Sequence, residues 1–261
     1  MYNLPREERR RNKREVKRIA FLSRLIQPVK MIVFPSACKI CGLPLEKSDE
    51  KIVCQECLSR VEVHRGRICQ VCGRFLSSEN QIANSCLECR KNLPPFTRHR
   101  SLGPYSGRLK EMIILFKYKG YEILSQPLAS LLYEKFRTDD EIFTGVDFIL
   151  SVPLHPQKEK ARGFNQARLL AQQLSRLSGL PLLDRDLVKI KNTTAQVSLT
   201  AKERQLNLRE AFAVRKPEKI RSRTLLLIDD VFTTGSTISQ CALVLKQAGA
   251  KEIRALTLAQ A

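Results

Sequence analysis

Eight of the nine cysteines stand as four Cys-x-x-Cys pairs, Cys38/Cys41, Cys54/Cys57, Cys69/Cys72 and Cys86/Cys89, separated by 12, 11 and 13 residues. Each pair can form a tight knuckle, and two pairs close a tetrahedral set of four thiolates around Zn²⁺. An internal repeat indicates which pairs share a metal. Cys38-Lys39-Ile40-Cys41-Gly42 is echoed by Cys69-Gln70-Val71-Cys72-Gly73, 31 residues on, and Cys54-Gln55-Glu56-Cys57 by Cys86-Leu87-Glu88-Cys89, 32 residues on. This A-B-A-B order favours two consecutive ribbons (Cys38, Cys41, Cys54 and Cys57, then Cys69, Cys72, Cys86 and Cys89) over an interleaved cross-brace. Four thiolates leave no open coordination position, so two structural zinc ions are expected and zinc chemistry is not. His64, His99 and His155 are not at ligand spacing, and Cys241 falls on the apolar face of a predicted helix as a core residue.

A second constellation is the run Leu225-Leu226-Leu227-Ile228-Asp229-Asp230-Val231-Phe232-Thr233-Thr234-Gly235-Ser236-Thr237. An apolar strand ends in two carboxylates, and a hydroxyl- and glycine-rich loop then leads into a helix. The amides opening that helix, with the Thr and Ser hydroxyls, can surround a phosphate, and the helix dipole favours the anion. The two acids can accept hydrogen bonds from the vicinal hydroxyls of a sugar. A capped helix alone would account for Thr, Gly and Ser but not for Asp229-Asp230. There is no G-x-x-x-x-G-K-[ST] and no G-x-G-x-x-G, which counts against P-loop and dinucleotide readings.

These residues need a scaffold, and the apolar patterning supplies one. Residues 146–152, 224–229 and 252–258 are short apolar runs suited to buried parallel strands. Ala167, Leu170, Ala171, Leu174 and Leu177 repeat at helical spacing, as do Ile238, Cys241, Ala242, Leu245 and Ala248, with Gly249 placed to stop the second helix. Residues 109–116 and 124–136 read as further helices. Strand and helix in alternation predict an α/β fold with a parallel sheet. The expected organisation is a basic arm (1–37), a double zinc-ribbon module (38–92) and an α/β domain (93–261), with Pro94 and Pro95 at the second join.

The chain carries 46 Lys+Arg against 26 Asp+Glu, a net +20 that attracts polyanions. Divided by segment, the balance is +7 for 1–37, +1 for 38–90 and +12 for 91–261. The arm reads either as a solvated tail or as a contact for a phosphate backbone or membrane surface. No run approaches the roughly 18 apolar residues of a spanning helix. The basic N-terminus lacks an apolar stretch followed by a small-residue cleavage site, so the expected location is cytoplasmic. A reducing cytosol makes metal binding a better explanation of the cysteines than disulfides.

The 225–237 run resembles the phosphoribosyl pyrophosphate (PRPP) signature of type I phosphoribosyltransferases. That resemblance implies that Asp229 and Asp230 hold the ribose hydroxyls, that Thr233, Thr234, Gly235, Ser236 and Thr237 hold the 5′-phosphate, and that Mg²⁺ bridges pyrophosphate and ribose. Residues 25–261 as a whole are similar to the ComF family of bacterial competence proteins, which join a double zinc ribbon to a phosphoribosyltransferase-like domain. Phe116-Lys117-Tyr118-Lys119-Gly120, Ser151-Val152-Pro153-Leu154-His155-Pro156, Arg162-Gly163-Phe164-Asn165-Gln166-Ala167, and Gln196, Leu199, Arg204, Asn207, Ala211 and Phe212 carry this similarity. It implies that Ser151, Val152, Pro153 and Leu154 form a pyrophosphate loop. Lys158, Lys160 and Arg162 follow in a stretch that suits a mobile catalytic loop, with Arg162 joining Asp229 and Asp230 as a catalytic residue.

What the resemblance implies is binding of PRPP or another ribose phosphate with Mg²⁺, binding of single-stranded DNA, and a role in DNA uptake during natural transformation beside proteins of the uptake machinery. Phosphoribosyl transfer to an unknown acceptor is the enzyme reading. Two alternatives stay open: a non-catalytic adaptor that senses PRPP or a nucleotide and binds DNA, and a phosphoribosyltransferase of nucleotide metabolism. Phe116, Tyr118 and Tyr121, interleaved with Lys117 and Lys119, are a candidate base-stacking patch or a core and helix end.

Overall fold

A computed structural model describes residues 37–45, 52–76, 84–192 and 210–261. The basic arm up to residue 36, and Gln196, Leu199, Arg204 and Asn207, lie outside the described residues. The chain separates into two compact units, residues 1–57 and 58–261.

In the first unit, Ala37 bridges Pro44, and the amide of Cys38 donates to the Leu43 carbonyl at 2.8 Å. The second unit repeats this geometry: Ile68 bridges Phe75, and the Cys69 amide donates to the Arg74 carbonyl at 2.8 Å. Gly42 and Gly73 both adopt positive φ, at 75° and 67°, as each knuckle's return requires. Cys54 and Cys86 directly precede the short helices α1 (Gln55–Ser59) and α2 (Leu87–Lys91), which carry Cys57 and Cys89.

The rest of the second unit is built on a parallel sheet. Its elements in order are β1 (Arg98–Pro104), α3 (Gly107–Tyr118), α4 (Ser125–Phe136), β2 (Phe148–Ser151), α5 (Pro156–Arg162), α6 (Gln166–Ser178), β3 (Leu187–Lys189), β4 (Phe212–Val214), β5 (Thr224–Phe232), α7 (Ser236–Gln247) and β6 (Glu252–Gln260). The sheet order is β1-β6-β5-β2, all parallel, and β3 and β4 form a separate antiparallel pair. Leu225 to Ile228 on β5 and Leu256, Leu258 and Ala259 on β6 are fully buried, as continuous apolar runs in central parallel strands should be. Helices α4 and α6 pack on each other, α6 lies on β2 and β5, and α7 packs on β5, β6 and β4. The α/β architecture, its three apolar strands and its four longer helices follow the sequence reading.

β1 was not foreseen, because Arg98-His99-Arg100-Ser101-Leu102-Gly103-Pro104 has no apolar strand pattern. Its buried His99 and Arg100 are partnered. His99 Nδ1 faces the Cys72 carbonyl at 2.8 Å and Nε2 faces Thr257 Oγ1 at 2.9 Å. A carbonyl can only accept, so Nδ1 carries the proton and the Thr257 hydroxyl donates to Nε2. Burial pushes His99 down to about 3, so this ring stays neutral. Arg100 donates to the carbonyls of Gln70 and His99 and pairs with Glu141, which also pairs with Arg98. The His99 amide donates to the Val71 carbonyl at 2.8 Å, so the second ribbon covers the exposed edge of β1. At Gly103 a Cβ would lie 2.0 Å from the Glu62 carbonyl oxygen, so only glycine fits where this segment crosses.

His99→Ala should therefore loosen the second ribbon. It leaves the Cys72 carbonyl unpaired, a loss of about 1–3 kcal/mol before packing is counted, or roughly 2–4 °C in melting temperature per kcal/mol at this size. Thermal unfolding together with chelator-driven zinc release should show faster loss of one zinc ion and unchanged loss of the other.

Candidate functional site

The four Sγ atoms of each cysteine set lie within 4.8 Å of one another, grouped as Cys38, Cys41, Cys54 and Cys57, and as Cys69, Cys72, Cys86 and Cys89. The pairing is consecutive, as the repeat predicted. Sγ atoms stand 3.9 Å apart for Cys38–Cys57, 3.7 Å for Cys41–Cys54 and 3.6 Å for Cys72–Cys86. A tetrahedron with zinc–sulfur bonds of about 2.3 Å has edges of about 3.8 Å, so both donor sets fit Zn²⁺. Backbone amides support the thiolates: Cys54 N–H donates to Cys38 Sγ at 3.4 Å and Cys89 N–H to Cys86 Sγ at 3.5 Å.

The second site lies at the carboxyl end of β5. Strand β5 delivers Asp229 and Asp230, and the chain turns through Thr233 and Thr234 into Gly235 and α7. Gly235 has φ 77°, and a Cβ there would stand 2.6 Å from the Phe232 ring. That ring cannot swing away easily, since it stacks on His99 at 4.0 Å and meets Phe96 edge-on at 6.5 Å. Gly235, the residue that opens the 12-residue α7, has no side chain to cap it, and the Ser236 amide meets Thr234 Oγ1 at 3.4 Å, so amide and hydroxyls gather at the helix's positive end. Thr234 and Ser236 hydroxyls lie 2.8 Å apart at its mouth. Thr233 is exposed and Thr237 half-buried. Two acids before a glycine-shaped cradle fit a ribose phosphate with Mg²⁺: the carboxylates offer hard oxygen donors and the loop offers amides.

Lys117, at the end of α3, reaches both oxygens of Asp230 at 2.8 Å. Burial would lower the lysine's proton affinity, but Asp230 more than offsets this and holds it above its ordinary value. Asp229 stays partly accessible while protein surrounds it densely. Burial first, then the charge of Asp230, pushes its carboxyl up to about 7, against the pull of Lys117, the Asp230 amide and Lys189. Lys189 on β3 is itself lowered, by burial and then by Lys158.

The Ser151-Val152-Pro153-Leu154 stretch leaves β2 beside this strand, with the Val152 amide donating to the Ile228 carbonyl at 2.9 Å. Asn165 locks it: Nδ2 donates to the Val152 carbonyl at 3.0 Å while Oδ1 caps α6. The segment holding Lys158, Lys160 and Arg162, expected as a loop, is the helix α5. Pro156 at its first turn and His155 Nδ1, which accepts from the Gln157 amide at 3.3 Å, start it. Arg162 lies over the Tyr118 ring and donates to Gln166 Oε1 at 2.8 Å, and Gln166 Nε2 donates to the Lys117 carbonyl at 3.4 Å. In the sequence Lys117 stood in a candidate base-stacking patch and Asn165 and Gln166 only in motifs shared with the ComF family, with none of the three assigned to this site. A lysine between two aromatic residues, Phe116 and Tyr118, was the available signal.

Two outcomes are expected. Cys38→Ser and Cys86→Ser should each remove one of two zinc ions per chain by metal analysis, the site losing folding free energy with its metal. For Asp229, a folded value above the ordinary 3.8 means that its contribution to stability is complete below 3.8 and is lost as pH rises through about 7. Asp229→Asn should thus unfold at a higher temperature than wild type at pH 8, by a few degrees, with the gap closing by about pH 4. A gap that widens on acidification would contradict the assignment.

In comparison with known proteins, a double zinc ribbon domain family matches residues 29–90 and a phosphoribosyl transferase domain family matches residues 126–261. Competence protein F of Haemophilus influenzae is 33% identical, over 80% of this chain and 96% of that protein. The Escherichia coli DNA utilization protein YhgH is 30% identical, over 86% and 96%. Competence protein ComFC of Bacillus subtilis is 31% identical, over 83% and 87%. No helix among the described residues is long and apolar enough to cross a membrane.

Proposed function

The chain belongs to the ComF family of competence proteins, and on that premise we propose that its α/β domain binds PRPP with Mg²⁺ and that the protein handles single-stranded DNA during uptake. The observation that carries the ligand is Asp229-Asp230 at the end of β5, directly before a glycine-shaped, hydroxyl-lined loop and the N-terminal end of α7. The names of its relatives, competence protein and DNA utilization protein, support the process. The net charge of +20 supports a polyanionic partner.

In this reading Asp229 and Asp230 accept from the ribose hydroxyls, and Thr233 to Thr237 cradle the 5′-phosphate. Ser151 to Leu154 face the pyrophosphate. Mg²⁺, when bound, neutralises charge between pyrophosphate and ribose. Deprotonation of Asp229 is required, so binding should tighten as pH rises through about 7. Arg162 is held by Tyr118 and Gln166 within reach of the same end of the domain and is the candidate to steady a departing pyrophosphate. The division at residues 37 and 92 and a cytoplasmic location complete the proposal.

Calorimetry with PRPP and MgCl₂ tests it. Two hydrogen bonds to charged groups are worth roughly 1.5–3 kcal/mol each, so the Asp229→Asn/Asp230→Asn variant should bind about 10²-fold more weakly or worse. Equal binding by both proteins removes the ligand assignment. Pyrophosphate release across a panel of bases and DNA then separates transfer from sensing: release supports the enzyme, and binding without release supports the adaptor. Affinity for single strands should fall steeply with salt and show little sequence preference.

A further inference from the structure

A cleft of about 200 Å³ opens where the second ribbon meets the sheet edge, lined by His64, Arg65, Phe75, Arg100, Ser101 and Lys135. It shares no residue with the Asp229–Thr237 loop. Ser101 is 93% buried, and its Oγ has no hydrogen-bond partner. A buried hydroxyl left alone costs free energy, so a ligand atom that pairs with it is favoured. Arg65 and Lys135 are exposed at the cleft and make no ion pair among the described residues. Arg100 adds charge from the wall, although Gln70, His99 and Glu141 already occupy its donors. The one carboxylate in the lining is Asp139. His64 and Phe75 stack at 3.8 Å and 18°, an aromatic wall beside the cations.

We propose that this cleft is a second anion site, which takes the phosphate monoester of a nucleotide. Arg65 and Lys135 match the two negative charges of a monoester, and the Ser101 hydroxyl supplies a hydrogen bond. The volume is below the roughly 300–1,000 Å³ of clefts that bury a drug-sized ligand, so it suits one phosphoryl group with its sugar and not a run of strand. The nucleobase lies against the His64–Phe75 pair, where stacking tolerates any base. The proposal does not rest on the PRPP reading. Its ligand is either a free mononucleotide or the 5′-phosphorylated end of a strand.

The test uses the full chain carrying Thr234→Val, which weakens phosphate binding at the α7 loop, titrated calorimetrically with dAMP and with tetrathymidylate bearing either a 5′-phosphate or a 5′-hydroxyl. In that background, saturable dAMP binding is expected, weakened at least tenfold by Arg65→Ala/Lys135→Ala and measurably by Ser101→Ala. Two zinc ions per chain and an unchanged melting temperature certify the fold. If the 5′-phosphorylated tetranucleotide binds more tightly than its 5′-hydroxyl form, the source is a strand end; if the two bind alike, it is a free mononucleotide. Absence of dAMP binding in the Thr234→Val chain, or binding that the cleft substitutions leave unchanged, overturns the proposal. PRPP binding by Arg65→Ala/Lys135→Ala in the otherwise wild-type chain reports separately on the α7 loop.

Discussion

Two carboxylates cannot stand side by side at the end of a buried strand without something to hold their charge, and here that something is Lys117. Its ammonium sits on Asp230 at 2.8 Å, while burial first and the charge of Asp230 second push the Asp229 carboxyl up to about 7. Much else in the domain follows from keeping this arrangement in place. Helix α3 must end where Lys117 can reach β5. Its burial of Leu109, Met112, Ile113 and Phe116 fixes that position. A like-charge pair held this way is a poor way to gain stability, because desolvating three charged groups costs about as much as their attraction returns. Such a cluster is better explained by a ligand than by the fold.

The second zinc site bears on the same loop through packing. Cys72 offers its carbonyl to His99, the His99 ring stacks on Phe232, and Phe232 lies where a side chain at position 235 would have to go. These contacts form an unbroken path from a thiolate-bound metal to the turn before α7. Zinc with four thiolates has no chemistry of its own to offer. It does fix the Cys72 knuckle, and with it the ring that shapes the turn before α7. The second ribbon is thus an extension of the sheet as much as a separate module, since it also caps the edge of β1.

How much of this was legible in the sequence depends on where each signal is stored. The consecutive pairing of the cysteines was readable because duplication leaves the same residues at the same offsets, Gly42 and Gly73 among them. β5 and β6 were readable because both faces of a central strand are buried, which produces an apolar run such as Leu225 to Ile228. β1 was not readable: its Arg98, His99 and Arg100 are satisfied by Glu141, Thr257 and ribbon carbonyls up to 158 residues away, and no local pattern records such partners. α5 was read as a mobile catalytic loop because Lys158, Lys160 and Arg162 directly follow the Ser151–Leu154 stretch, while its start signals, His155 and Pro156, were assigned to the preceding motif. In the candidate site, Asp229, Asp230 and Gly235 were visible as a contiguous run. Lys117 was visible only as a lysine among aromatics, 113 residues from the acid it neutralises.

That separation gives the site a link between its charges. Arg162 donates to Gln166, Gln166 donates to the Lys117 carbonyl, and Lys117 holds Asp230, so α5, α6, α3 and β5 meet through one chain of polar contacts. Among the described residues Arg162 is held by the Tyr118 ring at 5.6 Å and by Gln166 at 2.8 Å. On the proposed reading, Asp229 and Asp230 would hold the cation that accompanies the ligand and so take over from Lys117 part of the balancing of their charge. Arg162, tied to the same end of the domain through Gln166 and the Lys117 carbonyl, would supply the positive charge that a departing pyrophosphate needs.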